Sequence, residues 1–317
     1  MSSDTERAAR LIADSSDIVV VSHERPDGDA VGSLLAMTLA LKDAGKKVWP
    51  VLDDGLPKKW QFLPGAELVN GKLPTGEHLV ITVDAADIHR LGALEIDRVD
   101  VNIDHHPSNT QFGTINLVDP SAAATTVVLY RLLPELDLPI HVDIASNLLT
   151  GLITDTLGFR TNSVSPDALR IAASLIELGA DISRLFRKSM FGRSYEAAHY
   201  WAHGLSRMEM REGVVWSSLL VSDRKQAKYP GTDDADLIDV LTTIEGPRVA
   251  VLFIEQDDGN VKISWRALPG VDVSRLAAQF GGGGHELAAG AMIEGKLQEV
   301  IDRVLKSTFA ALAEVDS

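Results

Sequence analysis

"VVVSHERPDGDAVGS", Val19 to Ser33, is where the fold can be read. The β-branched run from Ile18 to Val21 has the character of a buried strand. It breaks abruptly into His23, Asp27 and Asp29, with Gly28 and Gly32 threaded between and after them. An apolar helix is then expected over residues 30–45, closed by Gly45 as a C-cap. One aspartate after a strand is ordinarily a turn residue or a helix cap. Here the pattern recurs. "HLVITVDAAD" (78–87) runs out into Asp84, and "VDVNIDHHPSN" (99–109) ends in Asp104, His105 and His106. The helix-like segment "ASNLLTGLITDTLGF" (145–159) delivers Asp155, and a capped helix is expected over 165–181.

Alternating strands and helices predict an α/β fold, here an N-terminal doubly wound domain with a mainly parallel sheet. Ligands of such sheets bind beyond the carboxyl ends of the strands, so the separate polar clusters are expected on one rim. This domain is expected over residues 1–182. A mixed helical stretch carrying Arg184, Arg187, Lys188 and Arg193 is expected as a linker over 183–207. Strands at 214–222, 248–256 and 260–268, a helix near 234–244, a glycine run, a closing strand and a final amphipathic helix follow. They predict a smaller C-terminal α+β domain over 208–317.

The 317 residues suffice for two domains, each with its own core. A net charge of −15 argues against a basic surface that grips long nucleic acid, while leaving room for a small nucleotide held by a few arginines. Without cysteine there are no disulfides and no thiolate metal sites. The acidic, polar N-terminus is unlike a signal peptide, and no apolar run is long enough to span a membrane. A soluble cytoplasmic protein is expected.

His23, Asp27, Asp29, Asp84, His105 and Asp155 are the candidate metal ligands. Carboxylates and imidazoles without sulfur suit Mn²⁺, or Mg²⁺, Co²⁺ or Fe²⁺. Six such groups match a pair of ions about 3.5–4 Å apart. Asp104 is read either as a group orienting a histidine or as a loop cap. Asp87, His89 and Asp119 are read as turn or surface residues.

"HERPDGDAVGS", "VDAAD", "DHH" and "ITDT", in this order and spacing, resemble the four motifs of the DHH phosphoesterase family. "ISWRALPGVDVSRLAAQFGGGGHELAAGA" resembles its DHH-associated C-terminal domain. The match spans nearly the whole chain and is nearest to the branch that hydrolyses oligoribonucleotides and 3′-phosphoadenosine 5′-phosphate (pAp). The resemblance implies two Mn²⁺ ions, one on His23, Asp27 and Asp84, the other on Asp29, Asp84, His105 and Asp155, with Asp84 shared. It implies that His106 contacts the scissile phosphate and that Asp104 orients a histidine.

"FGGGGHELAAG" lacks the spacing of a dinucleotide-binding loop. Glycines let backbone N–H groups approach an anion closely. The family resemblance implies that Gly282, Gly283, Gly284, His285 and Arg266 hold the terminal phosphate or nucleotide across a cleft from the metals, with Arg266 suited to bidentate contact. Arg160 and Asn109 are further substrate-binding candidates. The expected substrates are short RNA and nucleotides, with no stable complex with long nucleic acid, no membrane partner and a homodimer at family level. A cyclic-dinucleotide phosphodiesterase is the alternative within the class. A nucleotide- or RNA-binding sensor is the alternative outside it, and the intact ligand set argues against it. The glycine–histidine signature argues against a pyrophosphatase, and the chain length against a processive exonuclease.

Overall fold

The computed structural model describes residues 3–315. The chain forms two compact units that meet in sequence between Gly192 and Arg193.

The first unit is built on a five-stranded sheet of β1 (Asp17–Val21), β2 (Lys47–Val51), β3 (Leu79–Val83), β4 (Val99–Asp104) and β5 (Gly113–Val118). The spatial order is β2-β1-β3-β4-β5 and every pairing is parallel. Alternate residues serve opposite faces, as a period of two requires. Ile18 and Val20 join the core formed with the helices, while Val19 and Val21 join a second cluster containing Val80, Leu91 and Val99. Burial on both faces explains why the strands read as continuous β-branched runs instead of alternating ones.

The helices of this unit are α1 (Ser3–Asp14), α2 (Gly28–Asp43), α3 (Thr125–Glu135), α4 (Val142–Asp155), α5 (Pro166–Glu177) and α6 (Ile182–Met190). α2 starts two residues earlier than expected because Asp27 caps it: its carboxylate accepts from the N–H groups of Asp29 and Ala30. Neither β5 nor α3 was anticipated from sequence. The other sheet face is covered by irregular chain that includes a 3₁₀ turn, Ile88–Leu91.

The second unit carries α7 (Tyr195–Ser206), β6 (Glu209–Arg211), β7 (Val214–Leu219), α8 (Val221–Ala227), α9 (Leu237–Leu241), β8 (Val249–Glu255), β9 (Asn260–Ala267), α10 (Val273–Gln279), β10 (Gly283–His285), β11 (Ala288–Glu294) and α11 (Leu297–Val315). Its sheet runs β10-β11-β9-β8-β7-β6 and is antiparallel except at β7–β8. One face packs Val251, Phe253, Ile263 and Trp265 against Leu276 of α10 and Val300 and Val304 of α11. The other packs Ala250, Leu252 and Ile254 against Tyr200 of α7 and Leu237 of α9.

Residues 183–207, expected as a separate linker, are divided between the units. Leu185 of α6 lies in the first core, while Ala197 and Tyr200 of α7 lie in a core of the second. Apolar residues at helical spacing dock both helices, so neither is a free connection. Among the described residues no helix is long and apolar enough to cross a membrane.

Candidate metal centre

The carboxyl ends of β1, β3 and β4 deliver the polar groups. Two residues past β1, His23 is anchored by its Nδ1, which lies 2.7 Å from the Glu24 carbonyl. Just past β4, His105 is anchored likewise, Nδ1 to the Ala122 carbonyl at 3.2 Å. A carbonyl only accepts, so in both rings Nδ1 carries the hydrogen and Nε2 is left bare in the neutral form. Both bare nitrogens point at carboxylates. His23 Nε2 is 3.7 Å from Asp84 Oδ2, and His105 Nε2 is 3.9 Å from Asp84 Oδ1 and 3.7 Å from Asp155 Oδ2. Asp84 therefore turns one oxygen to each histidine.

Asp84 follows directly on β3, is 2 % exposed, and has φ 56°. An aspartate in the left-handed region stores backbone strain. Its N–H donates to the Ile103 carbonyl, which fixes the turn against β4.

Ligand-type atoms of His23, Asp27 and Asp84 lie within 4.8 Å of one another, and so do those of Asp29, His105 and Asp155. A third set joins Asp84, His105 and His106 on the same limit. All six residues proposed as ligands from sequence are thus gathered on one rim.

Asp29 and Asp155 come from α2 and α4, which pack closely through glycine. A Cβ on Gly151 would stand 2.5 Å from Asp29 Oδ1, and one on Gly32 would stand 2.6 Å from the Asn147 carbonyl. Only a hydrogen at these positions allows the helices to bring the two acids together.

Sequence reasoning missed Thr125 and Thr126. α3 has Ala124 at its N-cap, which has no side chain to satisfy the helix's first N–H groups. Asp29 does so from another helix. Its Oδ2 accepts from Thr125 N at 2.6 Å, and its Oδ1 accepts from Thr126 N at 3.1 Å and Thr126 Oγ1 at 2.8 Å. Thr125 Oγ1 donates to Asp84 Oδ1 at 2.8 Å. The available signal was a helix start with no capping residue of its own.

The fully buried Asp104 orients His106, whose Nδ1 lies 2.8 Å from Asp104 Oδ1. Asn109, expected at the substrate, is instead consumed internally. Its amide donates to Asp104 Oδ2 at 2.6 Å and to the Ala85 carbonyl, and its oxygen accepts from Asn102 and from the N–H of Gln111. All four hydrogen-bonding positions are filled, leaving none for a ligand.

Charge in this pocket is unbalanced. Burial, reinforced by Asp84, Asp155 and Asp27, pushes the Asp29 carboxyl well above the usual range. Burial likewise raises Asp155 to about 6, although His105 opposes it. Burial would raise Asp84 too, but His23, His106 and His105 outweigh it and the net shift is downward. For His23, burial acts downward, and Asp84, the Glu24 carbonyl and Asp27 together outweigh it. The hydrogen bond to Asp104 raises His106 to about 9. Buried carboxylates with bare imidazole nitrogens and too little positive charge are a donor set that divalent cations fit.

The remaining candidates stand elsewhere. Arg160 is exposed, and its Nε donates to the Leu157 carbonyl at 3.0 Å, on the turn after Asp155. Asp87 caps the turn at Ile88, and Asp119 accepts from Ser121 and Arg131, so both serve as the turn residues expected. His285 and Arg266 lie in the second unit on one cross-strand row, each paired with Ala288. Side chains of directly paired residues share a face, so His285 and Arg266 do too. Gly282 and Gly284 are required by the β10–β11 hairpin. At Gly284 φ is 147° and a Cβ would stand 2.5 Å from the Ala288 carbonyl. Gly283 has open space beside it.

Two family models match the chain: the DHH family N-terminal domain over residues 17–152 and the DHHA1 domain over residues 219–314. A curated relative from Thermus thermophilus, a bifunctional oligoribonuclease and PAP phosphatase NrnA, is 34% identical over 92% of this chain and 88% of its own length. A Bacillus subtilis protein of the same name is 27% identical over 90% of this chain and 91% of its own. In fold, the chain resembles the crystal structure of an exopolyphosphatase-related protein from Bacteroides fragilis, with a TM-score of 0.86, 23% identity, and coverage of 98% of this chain and 96% of that one.

Proposed function

The chain belongs to the DHH family, and we propose that it is a metal-dependent phosphoesterase acting on short oligoribonucleotides and on pAp. Asp84 carries the reading: each of its carboxylate oxygens faces a different cluster of ligand groups. The activities named for the relatives support the substrate class, and the net charge of −15 disfavours long polymers.

In this reading His23, Asp27 and Asp84 hold one ion, and Asp29, Asp84, His105 and Asp155 hold the other. Mn²⁺ is the ion proposed, from the oxygen and nitrogen donors. Divalent ions held by these residues would supply a lowered water pKa and offset charge on the phosphoryl oxygens.

The chain's own groups do the rest. Asp104 holds His106 through Nδ1, which leaves Nε2 to meet a phosphoryl oxygen as charge develops on it. Asn109 in turn fixes Asp104, so the imidazole plane is set by a chain of partly buried hydrogen bonds. In the second unit, Arg266 and His285 are the proposed contacts to a terminal phosphate, about 10 Å apart at two strand spacings.

The test is a turnover panel of pAp, a linear dinucleotide, a five-nucleotide RNA, cyclic di-AMP and a long RNA, each with Mn²⁺ and with Mg²⁺. Hydrolysis of pAp and the dinucleotide with Mn²⁺, well ahead of the long RNA, is expected. Equal degradation of long RNA and dinucleotide would overturn the substrate assignment. Preferred turnover of cyclic di-AMP would move the chain to the cyclic-dinucleotide reading.

A further inference from the structure

We propose that Thr125 is a positioning residue that builds the ion site at Asp29, Asp84, His105 and Asp155 selectively, leaving the site at His23, Asp27 and Asp84 largely independent of it. The inference rests on the two-ion reading given above.

Thr125 touches two of the four ligands of that site at once. Its N–H donates to Asp29 Oδ2 at 2.6 Å and its hydroxyl to Asp84 Oδ1 at 2.8 Å. Its side chain is fully buried, so water does not compete for either contact.

The consequence follows from counting lone pairs. A carboxylate offers about four acceptor positions. Asp29 has three of them occupied: two on Oδ1 by Thr126, and one on Oδ2 by Thr125. One position on Oδ2 is left, so Asp29 would offer a cation a single oxygen, with the Thr125 N–H fixing which side of it stays free. On Asp84 the Thr125 hydroxyl occupies one position of Oδ1, the oxygen that faces His105. It leaves Oδ2, the oxygen facing His23, untouched. Thr125 thereby sets the remaining acceptor direction on both carboxylates of one site and on neither oxygen used by the other. The hydroxyl also lies 3.4 Å from Asp104 Oδ1, a longer contact than the one to Asp84.

Thr125→Val keeps the branched shape and the backbone N–H but removes the hydroxyl; Thr125→Ser keeps the hydroxyl. Calorimetric titration of Mn²⁺ into the metal-free protein reads stoichiometry and affinity site by site. Electron paramagnetic resonance of the loaded protein distinguishes an exchange-coupled pair of ions from an isolated one. Wild type and Thr125→Ser are expected to bind two ions and give the coupled spectrum. Thr125→Val is expected to keep one site at wild-type affinity, weaken the other by about 10–100-fold, and lose the coupling at sub-saturating Mn²⁺. Two wild-type sites in Thr125→Val would overturn the proposal, as would equal weakening of both. Thermal melts of the metal-free proteins establish that the variants fold. If the valine variant does not, Thr125→Ala against Thr125→Ser repeats the comparison, and equal binding by those two overturns the proposal. A wild-type chain that binds a single ion overturns the two-ion reading itself, and this inference with it.

Discussion

Gly151 of α4 lies against the Asp29 carboxylate of α2, so closely that a methyl group on its Cα would stand 2.5 Å from Oδ1. Gly151→Ala therefore sets two effects against each other. Alanine gains about 1 kcal/mol in a helix interior relative to glycine. Forcing the methyl between Asp29 and Thr126 costs about 1–3 kcal/mol. The variant is expected to be neutral to about 2 kcal/mol less stable in urea unfolding. It should also lose Mn²⁺ affinity by about 10-fold or more as Asp29 is displaced. Wild-type affinity would show that the close helix approach has no part in forming the site.

Asn109→Ala distinguishes an internal role from a substrate contact. With its amide gone, Asp104 loses its donor at 2.6 Å and His106 loses its fixed plane. The expected outcome is a fall in kcat of about 10–100-fold with KM for pAp little changed. A rise in KM at constant kcat would instead place Asn109 on the substrate.

Removing divalent ions should soften the first unit. Asp29 and Asp84 are buried among other acids, and a ligand that binds only the folded state adds stability by mass action. Free Mn²⁺ at 100 times its dissociation constant is worth about 2.7 kcal/mol per ion. Chelation is expected to lower the melting temperature, and titrating Mn²⁺ back should restore it along a logarithmic curve. A melting temperature indifferent to both would exclude ion binding within the fold.

The second unit has an acid-sensitive joint at Asp223. Burial acts to raise its pKa, but the paired hydrogen bonds from Arg207 at 2.6 and 2.7 Å and the Leu220 N–H at 2.8 Å outweigh it, and the net shift is downward. A depressed carboxyl stabilises the fold above its unfolded pKa of about 4, and that stability is lost as pH falls through the lower folded value. Asp223→Asn is expected to cost about 1–3 kcal/mol at pH 7, the range reduced because Arg207 is a third exposed. Its stability curve should converge on wild type at low pH. Curves that stay parallel down to pH 2 would exclude Asp223 as the titrating group.

The parallel sheet was legible because strands buried on both faces must be apolar without interruption, and Ile18–Val21 and Leu79–Val83 have that character. His23, Asp84 and His105 follow the ends of β1, β3 and β4, and a polar residue at the end of such a strand has nowhere to go but the rim, whereas Asp29 and Asp155 arrive on helices. Thr125 was not legible. A threonine before an apolar run looks like any helix start, and its partners Asp29 and Asp84 lie 96 and 41 residues away. The internal bonds of Asn109 were not legible either, since its partners Asp104, Ala85 and Asn102 are set by how the segment after β4 packs. The hairpin's need for glycine at 282 and 284 was not legible, because the atoms a Cβ would strike belong to the returning strand at 288–291.

The left-handed backbone at Asp84 bears on how this chain can change over time. At φ 56° glycine is the residue that the backbone alone would favour, since a side chain there costs about 1–2 kcal/mol. A drift to glycine would relieve that backbone strain but would lose the carboxylate shared by both clusters and the acceptor of the buried Thr125 hydroxyl. Backbone strain and the side chain's contacts therefore pull this one position in opposite directions.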